Sequence, residues 1–254
     1  MKIIAGPCQH ENFNLSLEIA EICKSVCEKY EIEYILKSSF DKANRSHIDS
    51  KRGISFDNWL EDFDILRNKH GFKTLTDIHE TYQVSKVVDV VDVLQIPAFL
   101  SRQTDLIIEA CKSGKIVNIK KGQFLSPSDI KNVLSKCEDA EEVWVTERGS
   151  SFGYNNLVVD FTGLDYMLKN YDVPIFFDVT HSVQKPGGSG TTSGGNRDYV
   201  PGLSRAGSAL GIQNFFLEVH PNPDTSPSDG PNSVRLSDFE KIIDDIVTFN
   251  YKNI

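Results

Sequence analysis

Apolar residues along this chain recur in two rhythms that alternate from one end to the other. Short β-branched and aromatic runs fall at Ile3–Ala5, Tyr34–Lys37, Lys73–Thr76, Val93–Ile96, Val117–Ile119, Val143–Thr146, Ile175–Phe177 and Phe215–Leu217, and these read as strands. Stretches of helical spacing separate them, near Leu15–Lys29, Phe56–Lys69, Tyr82–Val90, Asp105–Cys111, Pro127–Ser135, Phe161–Lys169, Tyr199–Leu210 and Ser237–Phe249. The first shows its period well, with Leu15, Ile19, Ile22 and Val26 at steps of three and four. Ser126 followed by Pro127 predicts a helix start, a capping hydroxyl and then a proline where the backbone N–H has no helical partner. Eight strands alternating with eight helices in 254 residues predict a (β/α)8 TIM barrel, one catalytic domain over 1–254. An open doubly wound sheet would ordinarily place a glycine fingerprint after its first strand. Here that strand runs into AGPC, and no Walker-A lysine follows any glycine-rich turn. The stretch Pro186–Gly195 fits either a mobile surface loop or a lid over an active site. No internal repeat or linker marks a second domain.

Composition narrows the partners more than the fold. A net charge of −9 argues against nucleic acid and anionic membrane surfaces, which need a basic face, and leaves room for small phosphorylated substrates in a local cationic pocket. No apolar run approaches the roughly 20 residues of a membrane span. The opening residues MKIIAGPCQH lack the apolar core of a leader, so the expected location is the cytoplasm. Five cysteines (Cys8, Cys23, Cys27, Cys111 and Cys137) lack the density of a secreted disulfide scaffold and are expected as free thiols. Cys23 and Cys27, on one face of the first helix, read as core fillers.

The strand ends carry the chemistry. In order they present Cys8, Lys37, Asp77, Gln95, Lys120, Glu147 with Arg148, Asp178 with His181, and Glu218, all expected at the one mouth where barrel enzymes work. Lys37, Lys42, Arg45, Lys120, Lys121 and Arg148 cluster near those ends in an otherwise acidic chain. Gathering cations is unfavourable unless an anion joins them, so they read either as a site for a substrate with two or more anionic groups or as unrelated surface charges. Cys8, His181, Glu218 and Asp229 form a second set. Strands one and eight are neighbours in a closed barrel, and mixed S/N/O donors suit Zn²⁺, Fe²⁺ or Mn²⁺ better than Mg²⁺ or Ca²⁺. Without a close CxxC or HxxH spacing, the same residues also fit a buried cysteine and a satisfied histidine. His10, His47, His70, His79 and His220 read as surface or supporting groups.

These residues sit in longer motifs. AGPC, KSSFDKANRS, TDIHE, QIPAFLSRQTDL, NIKKGQFLSP, TERGSSFGYNNLVVD, DVTHSVQKPGG and EVHPNPDTSPSDGP follow in order over nearly the whole chain. Together they resemble the 3-deoxy-D-manno-octulosonate 8-phosphate synthase family. The resemblance implies a homotetrameric barrel enzyme that condenses phosphoenolpyruvate with D-arabinose 5-phosphate, releasing inorganic phosphate and supplying a sugar of lipopolysaccharide. The related 3-deoxy-D-arabino-heptulosonate 7-phosphate synthases share the GPC segment but carry a KPRTSP-type motif where this chain has KANRS, which favours arabinose 5-phosphate over erythrose 4-phosphate. The resemblance further implies Lys37, Ser39, Lys42, Asp77, Gln95, Lys120 and Arg148 around phosphoenolpyruvate. Asn44, Arg45 and Ser46 would hold the sugar phosphate, with Arg102 reaching in from a neighbouring subunit. It places Lys42, Asn44, His181 and Asp229 among the catalytic residues, and Cys8, His181, Glu218 and Asp229 around a divalent metal. Cys8 is the mark of the metal-dependent class, while the SDGPNS stretch around Asp229 resembles the metal-independent one.

Overall fold

The computed structural model describes residues 1–187 and 194–250. Most of the glycine-rich stretch for which a loop or a lid was expected therefore lies outside the described residues. The barrel strands are β1 (Lys2–Gly6), β2 (Glu33–Lys37), β3 (Lys73–Asp77), β4 (Val93–Ile96), β5 (Ile116–Lys120), β6 (Val143–Glu147), β7 (Ile175–Asp178) and β8 (Asn214–His220). Each pairs in parallel with the next, and β8 closes on β1 from Lys2↔Asn214 to Gly6↔Glu218. The helices that follow them are α1 (Phe13–Lys29), α2 (Phe56–Asp64), α3 (Thr81–Val87), α4 (Thr104–Lys112), α5 (Ile130–Leu134), α6 (Phe161–Asn170), α7 (Val200–Leu210) and α8 (Phe239–Thr248). The closed (β/α)8 barrel expected from the alternation is present.

Two helices differ in detail from their patterns. The second does not run evenly to Lys69: its last turn, Ile65–Lys69, widens so that His70 N–H reaches the Ile65 carbonyl, and Gly71 at φ +68° ends it. The fifth begins as a tight turn over Pro127–Asp129, where Ser126 and Asp129 cap each other's backbone N–H groups as the Ser-Pro start foreshadowed.

Side chains alternate across each strand, and this alternation builds the site. One inward residue from every strand forms an apolar plug: Ile4, Ile35, Leu75, Val93, Ile116, Trp144, Phe176 and Phe216. Two residues further along, on the same wall, stand Gly6, Lys37, Asp77, Gln95, Asn118, Thr146, Asp178 and Glu218. The interior thus changes from apolar to ionisable within one pleat. The alternate residues, among them Ala5, Leu36, Leu94, Val145, Phe177 and Leu217, face the helices and are fully buried. Full burial of each large apolar side chain stabilises the layer by about 1.5–3 kcal/mol. Gly6 is required for the closure of β1 on β2, because a Cβ there would lie 2.0 Å from the Lys37 carbonyl oxygen.

Candidate active site

The polar layer is a connected network. Asp77 on β3 accepts from Ser39 and from Gln95, Gln95 accepts from Asn118 Nδ2 (2.8 Å), and Asn118 accepts from Thr146 Oγ1 (2.7 Å). This belt crosses four neighbouring strands and fixes the carboxylate of Asp77. Lys42 Nζ donates to Ser39 Oγ (3.0 Å), which brings the loop after β2 onto the same group. Lys37 Nζ lies 2.9 Å from Glu218 Oε1 and 4.0 Å from Asp77 Oδ2. Burial alone would push the Lys37 ammonium down, but Glu218, Asp77 and Cys8 outweigh it and hold it above the usual lysine range. Burial likewise opposes ionisation of Asp77, and Lys37 and Lys42 overcome it, so this carboxyl stays well below the ordinary carboxylate range.

On the far side, Lys120 bonds Asp178 and sits 3.2 Å over the centre of the Phe216 ring. Here burial wins against Asp178, with Arg148 adding repulsion, and the ammonium is pushed down to about 8. Arg148 Nη2 donates to Gln184 Oε1 (2.9 Å), while Nη1 is buried with no hydrogen-bond partner among the described residues. A guanidinium N–H left so is costly unless a ligand completes it.

Asp178 organises the end of β7. Its Oδ1 accepts the N–H groups of Thr180 (3.1 Å) and His181 (2.8 Å), and its Oδ2 lies 2.7 Å from His181 Nδ1. The imidazole is thereby turned so that Nε2 faces Asp229 Oδ2 (3.2 Å) and Glu218 Oε1 (3.7 Å). Ligand atoms of Cys8, His181 and Glu218 lie within 4.8 Å of one another, and Asp229 Oδ2 stands 3.1 Å from Cys8 Sγ. Burial would lower His181, but Asp178 leads the groups that hold it well above the ordinary histidine range. Glu218 Oε2 is buried and lacks a hydrogen-bond partner among the described residues. The orphan oxygen and the thiol–imidazole–carboxylate donor set both fit a divalent metal.

Lys37, Lys42, Asn44, Arg45, Ser46, Asp77, Gln95, Lys120, Arg148, His181 and Asp229 line one cavity of about 320 Å³. Ser39 is joined to it through its bonds to Lys42 and Asp77, and Cys8 and Glu218 through their grouping with His181. Arg102 is not brought in. It is exposed on the segment before α4, where its carbonyl accepts from Lys136 Nζ (3.2 Å). Two strand-end charges expected at the mouth do not reach it: Lys121 and Glu147 fall on the opposite face of their strands and pair with each other at 3.2 Å. The pleat decides this, since one residue separates Lys121 from Lys120. Gln123 and Gln184 line the cavity without having been singled out, and His79, read from the sequence as a surface or supporting group, lines it too. For His79 a signal was available, because it continues the inward series Leu75, Asp77.

A closed parallel barrel with a cationic cavity at its strand ends and a metal-capable cluster beside it is the architecture of an enzyme acting on small anionic substrates. The chain belongs to the DAHP synthetase I family, whose model matches residues 1–248. It is similar to proteins named 2-dehydro-3-deoxyphosphooctonate aldolase from several bacteria. It shares 51% identity over 247 residues with that of Cyanothece sp., covering 96% of this chain and 90% of the relative. With that of Rhodopseudomonas palustris it shares 50% over 252 residues, 98% of this chain and 88% of the relative. With that of Fusobacterium nucleatum it shares 51% over 243 residues, 95% of this chain and 87% of the relative.

Proposed function

We propose that this chain condenses phosphoenolpyruvate with D-arabinose 5-phosphate and water to give 3-deoxy-D-manno-octulosonate 8-phosphate and inorganic phosphate. The observation that carries the reading is the cationic lining of the cavity, to which Lys120, Arg148 and the KANRS loop with Lys42 and Arg45 all contribute, and in which Arg148 Nη1 has no hydrogen-bond partner among the described residues. Lys42, Lys120 and Arg148 hold the carboxylate and phosphate of phosphoenolpyruvate, with Lys37, Ser39, Asp77 and Gln95 fixing their positions. Asn44, Arg45 and Ser46 hold the sugar phosphate, and Arg102 of a neighbouring copy completes it.

Two dilute reactants become an oriented pair, which is a large part of the rate gain. The enol carbon bonds the open-chain aldehyde, water adds at C2, and the resulting hemiketal expels phosphate by C–O cleavage. In this reading Lys42, Asn44, His181 and Asp229, which line the same cavity, orient the aldehyde oxygen and the water. Cys8, His181, Glu218 and Asp229 hold a divalent ion, Zn²⁺, Fe²⁺ or Mn²⁺. When bound, such an ion supplies Lewis-acid polarisation and orientation of an oxygen.

A cytoplasmic homotetramer of single-domain subunits, 1–254, completes the reading. It is supported by the absence of disulfides among the described residues and by the exposed Phe99, Phe124, Phe152 and Tyr154 on the loops around the mouth. No described helix is long and apolar enough to cross a membrane. The test is phosphate release from phosphoenolpyruvate with arabinose 5-phosphate against erythrose 4-phosphate, with and without chelator. Release with the five-carbon sugar is expected, and a clear preference for erythrose 4-phosphate would overturn the substrate assignment. Full activity of Cys8→Ala after exhaustive chelation would remove the metal from the reading.

A further inference from the structure

Arg45 stands on the loop after β2, yet its side chain is tied to two other loops. Nε donates to the Lys51 carbonyl (2.9 Å), Nη1 to Ser228 Oγ (3.0 Å), and Nη2 to Gln9 Oε1 (2.7 Å) and the Pro227 carbonyl (3.1 Å). A guanidinium has five N–H groups, so these bonds leave one uncommitted. Three of them go to the segments that carry Cys8 and Asp229. Ser228 and Gln9 are both buried, Gln9 directly follows Cys8, and Ser228 directly precedes Asp229. Ser228 Oγ also lies 3.1 Å from Cys8 Sγ. Asp229 itself adopts φ +51°, a conformation few non-glycine residues hold without support from their surroundings.

The geometry points to Arg45 and Ser228 as a mechanical link between the loop that takes the second substrate and the thiol–imidazole–carboxylate cluster, with Ser228 the positioning residue for Cys8. This rests on the reading above of Arg45 as a phosphate ligand and Cys8 as a metal ligand. Bidentate capture of a phosphate needs two N–H groups, and Arg45 has one to offer without giving up an existing bond. Sugar-phosphate binding and a firm hold on the segments flanking Cys8 and Asp229 therefore compete. By linkage the competition is reciprocal: arabinose 5-phosphate weakens metal binding, and metal weakens arabinose 5-phosphate by the same factor.

The experiment titrates Co²⁺ into the metal-stripped full chain and follows the thiolate-to-Co²⁺ charge-transfer band. It is run with and without saturating arabinose 5-phosphate, whose binding is checked by calorimetry. We expect the sugar phosphate to weaken Co²⁺ binding by about fivefold or more, within the ordinary range of coupling between sites. The effect should shrink in Ser228→Ala, where only the bonds to Gln9 and Pro227 remain, and return in full in Ser228→Thr, which keeps the hydroxyl. An unchanged or strengthened Co²⁺ affinity in the unsubstituted chain overturns the link, and so does equal weakening in Ser228→Ala. No charge-transfer band, or no saturable binding of the sugar phosphate, counts instead against the functional reading on which the link stands, and the link falls with it.

Discussion

Replacing Lys37 by Met tests whether the polar layer is held by charge balance. The substitution keeps the length of the side chain and removes the ammonium. Glu218, whose side chain is 0% exposed, then loses the cation 2.9 Å away, and Asp77 loses the one at 4.0 Å. Glu218 cannot turn to water from its fully buried position, while Asp77 lines the cavity but is held in place by Ser39 and Gln95. Removing one partner of a buried pair destabilises by about 3–5 kcal/mol. For a chain of this size each kcal/mol moves Tm by about 2–4 °C, so Lys37→Met should melt about 6–20 °C lower. Adding Glu218→Gln removes the stranded charge and should recover half or more of that loss, although each single variant is destabilised. The measurement is a double-mutant cycle by calorimetry at pH 7, with chelator present and protein concentration matched, so that metal and assembly do not enter. A loss below about 1 kcal/mol in Lys37→Met, or additive losses in the double variant, would refute the charge-balance account.

Lys120 sets a pH dependence. Its ammonium must be charged to hold an anion, and with burial lowering it to about 8, kcat/KM for phosphoenolpyruvate should fall as pH rises through that value. In Lys120→Arg the fall should move to much higher pH, and an unchanged profile would discount Lys120 as the group observed. For folding the sign is opposite. The native state releases this proton near 8 and the unfolded chain near 10.5, so the penalty is full below 8 and is relieved across that window. Gly6→Ala sets a Cβ 2.0 Å from the Lys37 carbonyl and should cost about 1–3 kcal/mol or more in urea unfolding, with activity falling as β1 and β2 part. Arg102→Ala should raise KM for arabinose 5-phosphate and spare that for phosphoenolpyruvate. Mixing it with an inactive Arg148→Met chain should restore activity if Arg102 acts across subunits, and no recovery in mixed assemblies would place its action elsewhere.

Much of this protein is legible in one dimension. The alternation of short and long apolar periods depends only on local geometry, so strand and helix positions follow from spacing, and a closed barrel follows from their number. Because barrel strands end at one mouth, the polar residue closing each strand marks the site before any contact is known; Lys37, Asp77, Lys120 and His181 are found this way. What spacing does not carry is which side of the pleat a residue takes when two candidates are adjacent. Lys120 enters the cavity while Lys121 turns away to Glu147, a difference fixed by strand register across the closed sheet. Nor does sequence show that Asp178, at first merely the end of a strand, aims His181 by accepting from its ring and its backbone. Arg45 marks the sharpest division. Its charge and its place in KANRS suggest an anion ligand, but only the folded chain brings it to Ser228 and Gln9, residues 183 and 36 positions away, because hydrogen bonds depend on distance in space rather than along the chain.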